Sequence, residues 1–278
     1  MPSVRAIPSA VCAALTAAFG GAVTGCGLDV AGGSSLDQQS VLTIFAPPDP
    51  AEAARWAADP YDPDKRQRGT LLLATAPWGG EPVYVDFYRA AAGDEDAAVR
   101  AVAMMALGRH GAPEDAAILV QGLTDSEPVV RRAAARALQR LHNPAAVDAL
   151  LRAVDERREE DPETRAAAAV ALGQYADPEV VQGLIAALRD RRLLVNRAAR
   201  DSLTLLTGQD FGLDDGAWLE WTGRTADLFA GRGRYVYPVY RRSPFLWEQL
   251  IPWMRPPNET ASVPAGMTPP TPDAPTGG

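Results

Sequence analysis

Through the middle of the chain, apolar and small residues recur at helical spacing, and one short phrase returns with them. "DEDAAVRAVAMMALGRHGAPED" begins at Asp94 and "DSEPVVRRAAARALQRLHNPAA" at Asp125. "EEDPETRAAAAVALGQYADPEV" begins at Glu159 and "DRRLLVNRAARDSLTLLTGQDF" at Asp190, with a weaker copy, "DPDKRQRGTLLLATAPWGGEPV", at Asp62. The starts fall 32, 31, 34 and 31 residues apart, which is the signature of a stack of short structural units. In each copy an acid stands six residues before a basic or polar residue: Asp62 and Arg68, Asp94 and Arg100, Asp125 and Arg131, Glu159 and Arg165, Asp190 and Asn196. Three and seven residues further on come Ala103 and Leu107, Ala134 and Leu138, Ala168 and Leu172, and Ala199 and Leu203. Spacings of three and four place these on one stripe of a helix. A second amphipathic helix is expected between copies, at 113–123, 144–154 and 178–188. Each opens with proline, whose missing N–H is not needed in a first helical turn. The pattern predicts an all-α solenoid of about five helix pairs over residues 47–209.

The phrase resembles the HEAT-like repeats of bacterial proteins. Their consensus "D…VRxxAxxALG" is met nearly whole at 94–108 and in part at the other copies, so the resemblance covers about 160 of the 278 residues. It implies a fold and is almost silent on activity, because function resides in sites grafted onto a fold. It implies that the acid–base pairs form a ladder fixing the register of stacked units, Arg131 reaching an aspartate in its own or an adjacent unit. It also implies that the helix carrying the phrase lines the inner, concave side, with the positions one, four and five after the ladder residue facing a groove. In the first two copies the last two positions are Leu72, Leu73, Met104 and Met105. Later copies bring Arg132, Arg136, Arg197 and Arg200 to or near that surface, with Asp201 beside them. A groove greasy at its N-terminal end and basic at its C-terminal end suits an amphipathic peptide or helix with an acidic end. The competing expectation is that Leu72 and Leu73 pack beneath an N-terminal strap.

The flanks change the picture from a fold to an address. Residues 1–25 carry Arg5, then an uncharged run from Ala6 to Val23, in the layout of a targeting segment. Val23-Thr24-Gly25-Cys26 resembles the lipobox of bacterial lipoproteins, which implies lipidation of Cys26. A retained signal anchor and an ordinary cleaved signal compete with it; Pro8, Gly20 and Gly21 make a poor permanent span. Cys12 would leave with the segment, so Cys26 would be the one cysteine kept. Gly27 in place of aspartate favours the outer membrane by resemblance to lipoprotein sorting. Residues 26–46 read as a tether, in which "VLTIF" could instead pack under the first helix pair.

Ten of the 19 aromatic residues fall between Phe211 and Trp253, so 210–255 reads as an aromatic cap and strap. Asp214 or Asp215 would N-cap a short helix carrying Trp218 and Trp221. These aromatics would either pack on the last repeat or offer a carbohydrate or peptide platform including Trp247 and Trp253. Residues 256–278 are Pro-rich and expected to be disordered. Within them Asn258-Glu259-Thr260 is a sequon too short to carry weight.

Charge and chemistry narrow the function by exclusion. A net charge of −8 repels phosphate backbones, so no nucleic-acid partner is expected. The two histidines, His110 and His142, fall where helix gives way to turn and read as helix-terminus residues favoured by the dipole. HEAT-like iron hydroxylases use His-Glu pairs, whereas Gly111 and Asn143 follow here. "GRGRYV" lacks a dinucleotide fingerprint's third glycine, and "GDEDAAVR" lacks a calcium loop's glycine and terminal glutamate. No cofactor, metal site or catalytic constellation is expected. The reading is a lipid-anchored scaffold facing the periplasm of a bacterial cell envelope, which binds an envelope protein or peptide in its groove. The alternative is an enzyme or enzyme subunit acting on envelope glycans through the aromatic C-terminal region.

Overall fold

Helix starts follow from capping. Asp49, Asp62, Asp96, Asp161, Asp177 and Asp214 each stand just before a helix and accept a main-chain N–H of its first turn. This satisfies donors that have no partner within the helix. Proline opens α1 (Pro50–Ala57), α2 (Pro63–Thr75), α3 (Pro82–Ala91), α6 (Pro128–Leu138), α8 (Pro162–Leu172) and α9 (Pro178–Ala187). Between and after them run α4 (Ala97–His110), α5 (Ala116–Gly122), α7 (Val147–Val154), α10 (Leu193–Thr207) and α11 (Asp215–Thr222). The prolines at 113 and 144 open single 3-10 turns that lead into α5 and α7. The computed structural model describes residues 49–239 and 259–267. The targeting segment, the tether, Cys26, Trp247 and Trp253 lie outside the described residues.

Five antiparallel pairs result, from α1–α2 to α9–α10. The even-numbered helices pack each on the next, α2 on α4, α4 on α6, α6 on α8 and α8 on α10. The odd-numbered helices meet one another more sparsely, so the even-numbered row is the inner layer of the stack. Its repeated leucines, Leu73, Leu107, Leu138, Leu172 and Leu203, are all at most 1% exposed. The small residues four positions before them, Ala103, Ala134, Ala168 and Ala199, are fully buried where helices approach.

The first repeat corrects the register read from the sequence. Helix N-caps stand at Asp62, Asp96, Glu127, Asp161 and Arg192, which are 34, 31, 34 and 31 residues apart. Asp62 is therefore the counterpart of Asp96 and not of Asp94. The ladder position of the first repeat is Arg66, and Arg68 instead lies over the Trp56 ring, 5.0 Å from its centre. From Arg66, the small and leucine positions fall on Gly69 and Leu73. Gly69 is where α1 crosses α2 most closely: a Cβ there would lie 2.2 Å from the Ala57 nitrogen and 2.7 Å from the Ala53 oxygen. Helix propensity alone says that Gly69→Ala stabilises by about 1 kcal/mol. Backbone cannot yield as a side-chain end can, so the expected result is a loss of about 1–3 kcal/mol. Thermal unfolding gives the sign, and a rise in midpoint would contradict the packing.

After the last repeat the described aromatic residues pack on α11. Trp218 is fully buried, edge-on to Phe211 at 5.0 Å, and donates from Nε1 to the Gly212 oxygen at 3.1 Å. Beyond α11 the chain runs back over the turns that close the inner helices: Gly233 donates to the Leu205 oxygen at 2.7 Å and Arg232 to the Gln174 oxygen at 2.7 Å. Within the tail expected to be disordered, residues 259–267 lie against that same edge, pairing with Leu141. Composition has no term for such main-chain pairing.

Candidate functional site

The ladder repeats one two-nitrogen carboxylate grip in four units. Arg66 takes Asp94 at 2.9 and 3.0 Å, Arg100 takes Asp125 at 2.8 and 2.8 Å, Arg131 takes Glu159 at 2.7 and 2.9 Å, and Arg165 takes Asp190 at 2.6 and 3.1 Å. Every arginine thus reaches forward to the next repeat. Its remaining nitrogen donates to carbonyls of its own turn, as Arg131 does to Asp125 and Ser126, both at 2.9 Å. Each acid in turn accepts the N–H two residues on, as Asp125 does from Glu127 at 2.9 Å. The ladder ends at Asn196, whose amide donates to the Leu188 oxygen at 2.6 Å and the Asp190 oxygen at 2.9 Å. The hydrogen bonds from Arg100 hold the Asp125 carboxyl below the usual carboxylate range. These fork geometries join units, and they leave the ladder arginines no free face for a ligand.

The inner surface is what the ladder positions. With the corrected register, the position five after the ladder residue carries Leu71, Met105, Arg136, Val170 and Asp201 in turn. Leu71 is 40% exposed and Met105 37% exposed. The structure separates the residues that the sequence groups into a greasy end. Leu73 and Met104 are core, 1% and 3% exposed, and Leu72 is half-buried against it. Only Met105 of that set faces outward, with Leu71 as its neighbour of equal position. Val129 and Leu194, 48% and 53% exposed, open their helices on the same layer. Sequence reasoning missed Leu71, and the Gly69 and Leu73 positions were the signal that would have found it.

The basic end is corrected as well. Arg132 takes Asp161 at 3.1 and 3.2 Å and Glu163 at 2.7 Å, making a second rung between repeats. Arg136 lies 3.5 Å from Glu163, and Arg200 pairs with Asp210. Each of the three has an acidic partner within the protein. Arg197 is exposed and forms no ion pair among the described residues.

The histidines are packing groups. His110 Nε2 lies 2.7 Å from the Ala74 oxygen, with the ring stacked on Tyr88; His142 stacks on Tyr175 at 4.8 Å. Burial lowers the pKa of both, opposing the charge that a helix C-terminus would favour. Among the described residues no group of three or more His, Cys, Asp and Glu could hold a metal ion. No described helix is long and apolar enough to cross a membrane. A cleft of about 720 Å³ lies between the turns after α6 and α8 and the returning chain, where His142, Tyr175, Tyr235 and Met267 line it.

The family model described as HEAT repeats matches residues 51–139 and, overlapping them, 116–204, which together make more than half of the chain. YibA of Escherichia coli is similar in structure, at 20% identity over 56% of this chain and 59% of that one, with a TM-score of 0.47. Human deoxyhypusine hydroxylase in complex with glycerol is similar at 27% identity over 56% and 62%, with a TM-score of 0.39. A designed armadillo repeat protein matches at 16% identity over 66% and 95%, with a TM-score of 0.46. The chain spans about three fifths of the length of the first two. No curated protein is similar to it in sequence.

Proposed function

The chain belongs to the HEAT-repeat family, and on that premise we propose that it is a lipid-anchored scaffold of a bacterial cell envelope, holding a protein or peptide on the inner face of its solenoid. One observation carries the binding reading. Leu71 and Met105 occupy the same position in adjacent repeats, and the core uses neither. An unbranched methionine adapts to varied apolar partners, and exposed apolar residues grouped on one face mark interaction surfaces. Arg197, further along the layer, suits a carboxylate at one end of the ligand. The reading assigns the protein no chemical step. The described cap aromatics spend their surface on one another and on the last repeat, so nothing in them favours a glycan platform.

The anchor rests on Val23-Thr24-Gly25-Cys26 behind an uncharged segment, and Gly27 supports the outer membrane with the domain facing the periplasm. Each buried methylene of an acyl chain adds about 0.8 kcal/mol of membrane affinity. Cys26→Ser is expected to end lipid labelling and to release the protein from membranes. Continued cleavage after Gly25 with membrane retention in that variant would contradict the anchor. For the binding face, Leu71→Asp with Met105→Asp should abolish partner capture with little change in thermal midpoint. Arg197→Glu should weaken capture, whereas Arg132→Glu should lower stability, because Arg132 joins two repeats. Capture that survives the first double change removes the inner face from the account.

A further inference from the structure

Helix α6 ends at Leu138, and its last carbonyls need donors from outside the helix. The Gln174 amide serves the Leu138 oxygen at 2.6 Å, and the turn that follows is served from far along the chain. The Ala265 N–H donates to the Arg140 oxygen at 2.8 Å, and the His142 N–H donates back to the Ala265 oxygen at 2.8 Å, so an extended segment adds itself to the turn. A second device is the Arg140 side chain. Its guanidinium lies 4.7 Å above the centre of the Tyr237 ring and grips the Glu259 carboxylate with two nitrogens. Tyr237 also donates its N–H to the Ser262 oxygen at 3.1 Å. The third is a slot for glycine. Gly266 has φ +86, and a Cβ there would lie 2.7 Å from Pro113 Cγ and 2.8 Å from the His142 oxygen.

We propose that the edge formed by the turns after α4 and α6 is a peptide-binding groove, and that residues 259–267 of this chain are its resident, exchangeable ligand. The groove takes an extended peptide with a carboxylate six residues ahead of an Ala-Gly pair. Main-chain pairing gives such sites their affinity, while the carboxylate clamp and the glycine slot give register.

The segment is a ligand more than a piece of core because of what it buries. Pro264 is its one buried side chain; Thr260, Ser262 and Ala265 are exposed, and Glu259 and Val263 are half-buried. Contacts this few hold because the segment is tethered, which replaces a second-order encounter with a high effective concentration. Its departure leaves the leucine core of α4, α6 and α8 untouched. It also removes Val263 and Met267 from the wall of the 720 Å³ cleft and uncovers His142 and Tyr175. This site is separate from the inner face and stands whether or not that face binds a partner.

The test uses the full chain. In Glu259→Arg/Gly266→Val the resident segment is disabled in place. A labelled peptide of residues 259–267 should then bind saturably, and at least about tenfold more weakly to the unaltered chain, whose groove is filled. Adding Arg140→Ala should remove that binding, and a peptide carrying the two changes should not bind. Failure of the disabled chain to take up the peptide overturns the proposal. Hydrogen exchange on the unaltered protein gives an independent reading: the Ala265 and His142 amides should exchange at least about tenfold faster than the amides inside α6. Equal protection would make the segment a fixed part of the fold and overturn the proposal too.

Discussion

Leu138→Asp is expected to unfold the solenoid from its middle outward. Leu138 is fully buried at the end of α6, and α6 packs on both α4 and α8. A carboxylate there has no counter-charge, and burying it unpaired costs several kcal/mol. Repeats are stabilised by their neighbours, so a break in the third unit removes the support of the second and the fourth. Arg152→Asp on the exposed face of α7 makes a matched control, with an expected change within about 0.5 kcal/mol. Urea unfolding separates them. The first variant should lose most of its cooperative transition, and equal midpoints would refute the assigned repeat phase.

Arg165→Ala should come second in effect, at about 3–5 kcal/mol. The Arg165 and Asp190 side chains are only 4% and 2% exposed, the most deeply buried rung of the ladder. Truncation strands the Asp190 carboxylate and leaves the Glu159 and Glu160 carbonyls, now served at 2.8 and 2.9 Å, without that donor. Arg158→Ala, removing an exposed pair with Asp155, should cost about 0–1 kcal/mol. A calorimetric midpoint for each variant checks the contrast, and similar small losses would mean the ladder does not couple units. The same ladder, with the Arg132–Asp161 rung beside it, sets the acid limit. Asp94, Asp125 and Asp161 have lowered pKa values in the folded protein. Their contribution is complete above their unfolded values of about 4 and is lost as pH falls through the lower folded ones. Stability should therefore decline below about pH 4.

Much of this architecture was legible because a repeat states its own alignment. The phrase at 94–108 recurs with its leucine and its alanine in place, and those positions are the buried ones. The first copy slipped by two residues for a physical reason. Asp62 is a helix cap and resembles a ladder acid, and Arg66 and Arg68 both stand within reach of the position. Only Gly69 and Leu73, small and leucine at the right offsets from Arg66, distinguish them. What could not be read is whatever depends on how units turn against each other. Arg132 meets Asp161 across 29 residues of sequence, so an arginine that looks free for a ligand is paired by the following repeat. The docking of 259–267 was hidden for another reason: it uses main-chain groups, one carboxylate and a glycine, none of which marks a polar, Pro-rich tail as ordered.

We propose above that the inner face, and not the outer one, meets a partner in the envelope. Site-specific photo-crosslinking in intact cells tests it most directly, with the reactive group placed in turn at Leu71, Met105 and Arg197, and at Val83 on α3 as the outer control. The expected result is one discrete adduct shared by the three inner positions, absent at Val83, and lost from the Met105 probe when Leu71→Asp is added. Adducts of equal yield from Val83, or none from the inner positions while the protein remains folded and membrane-bound, would contradict it.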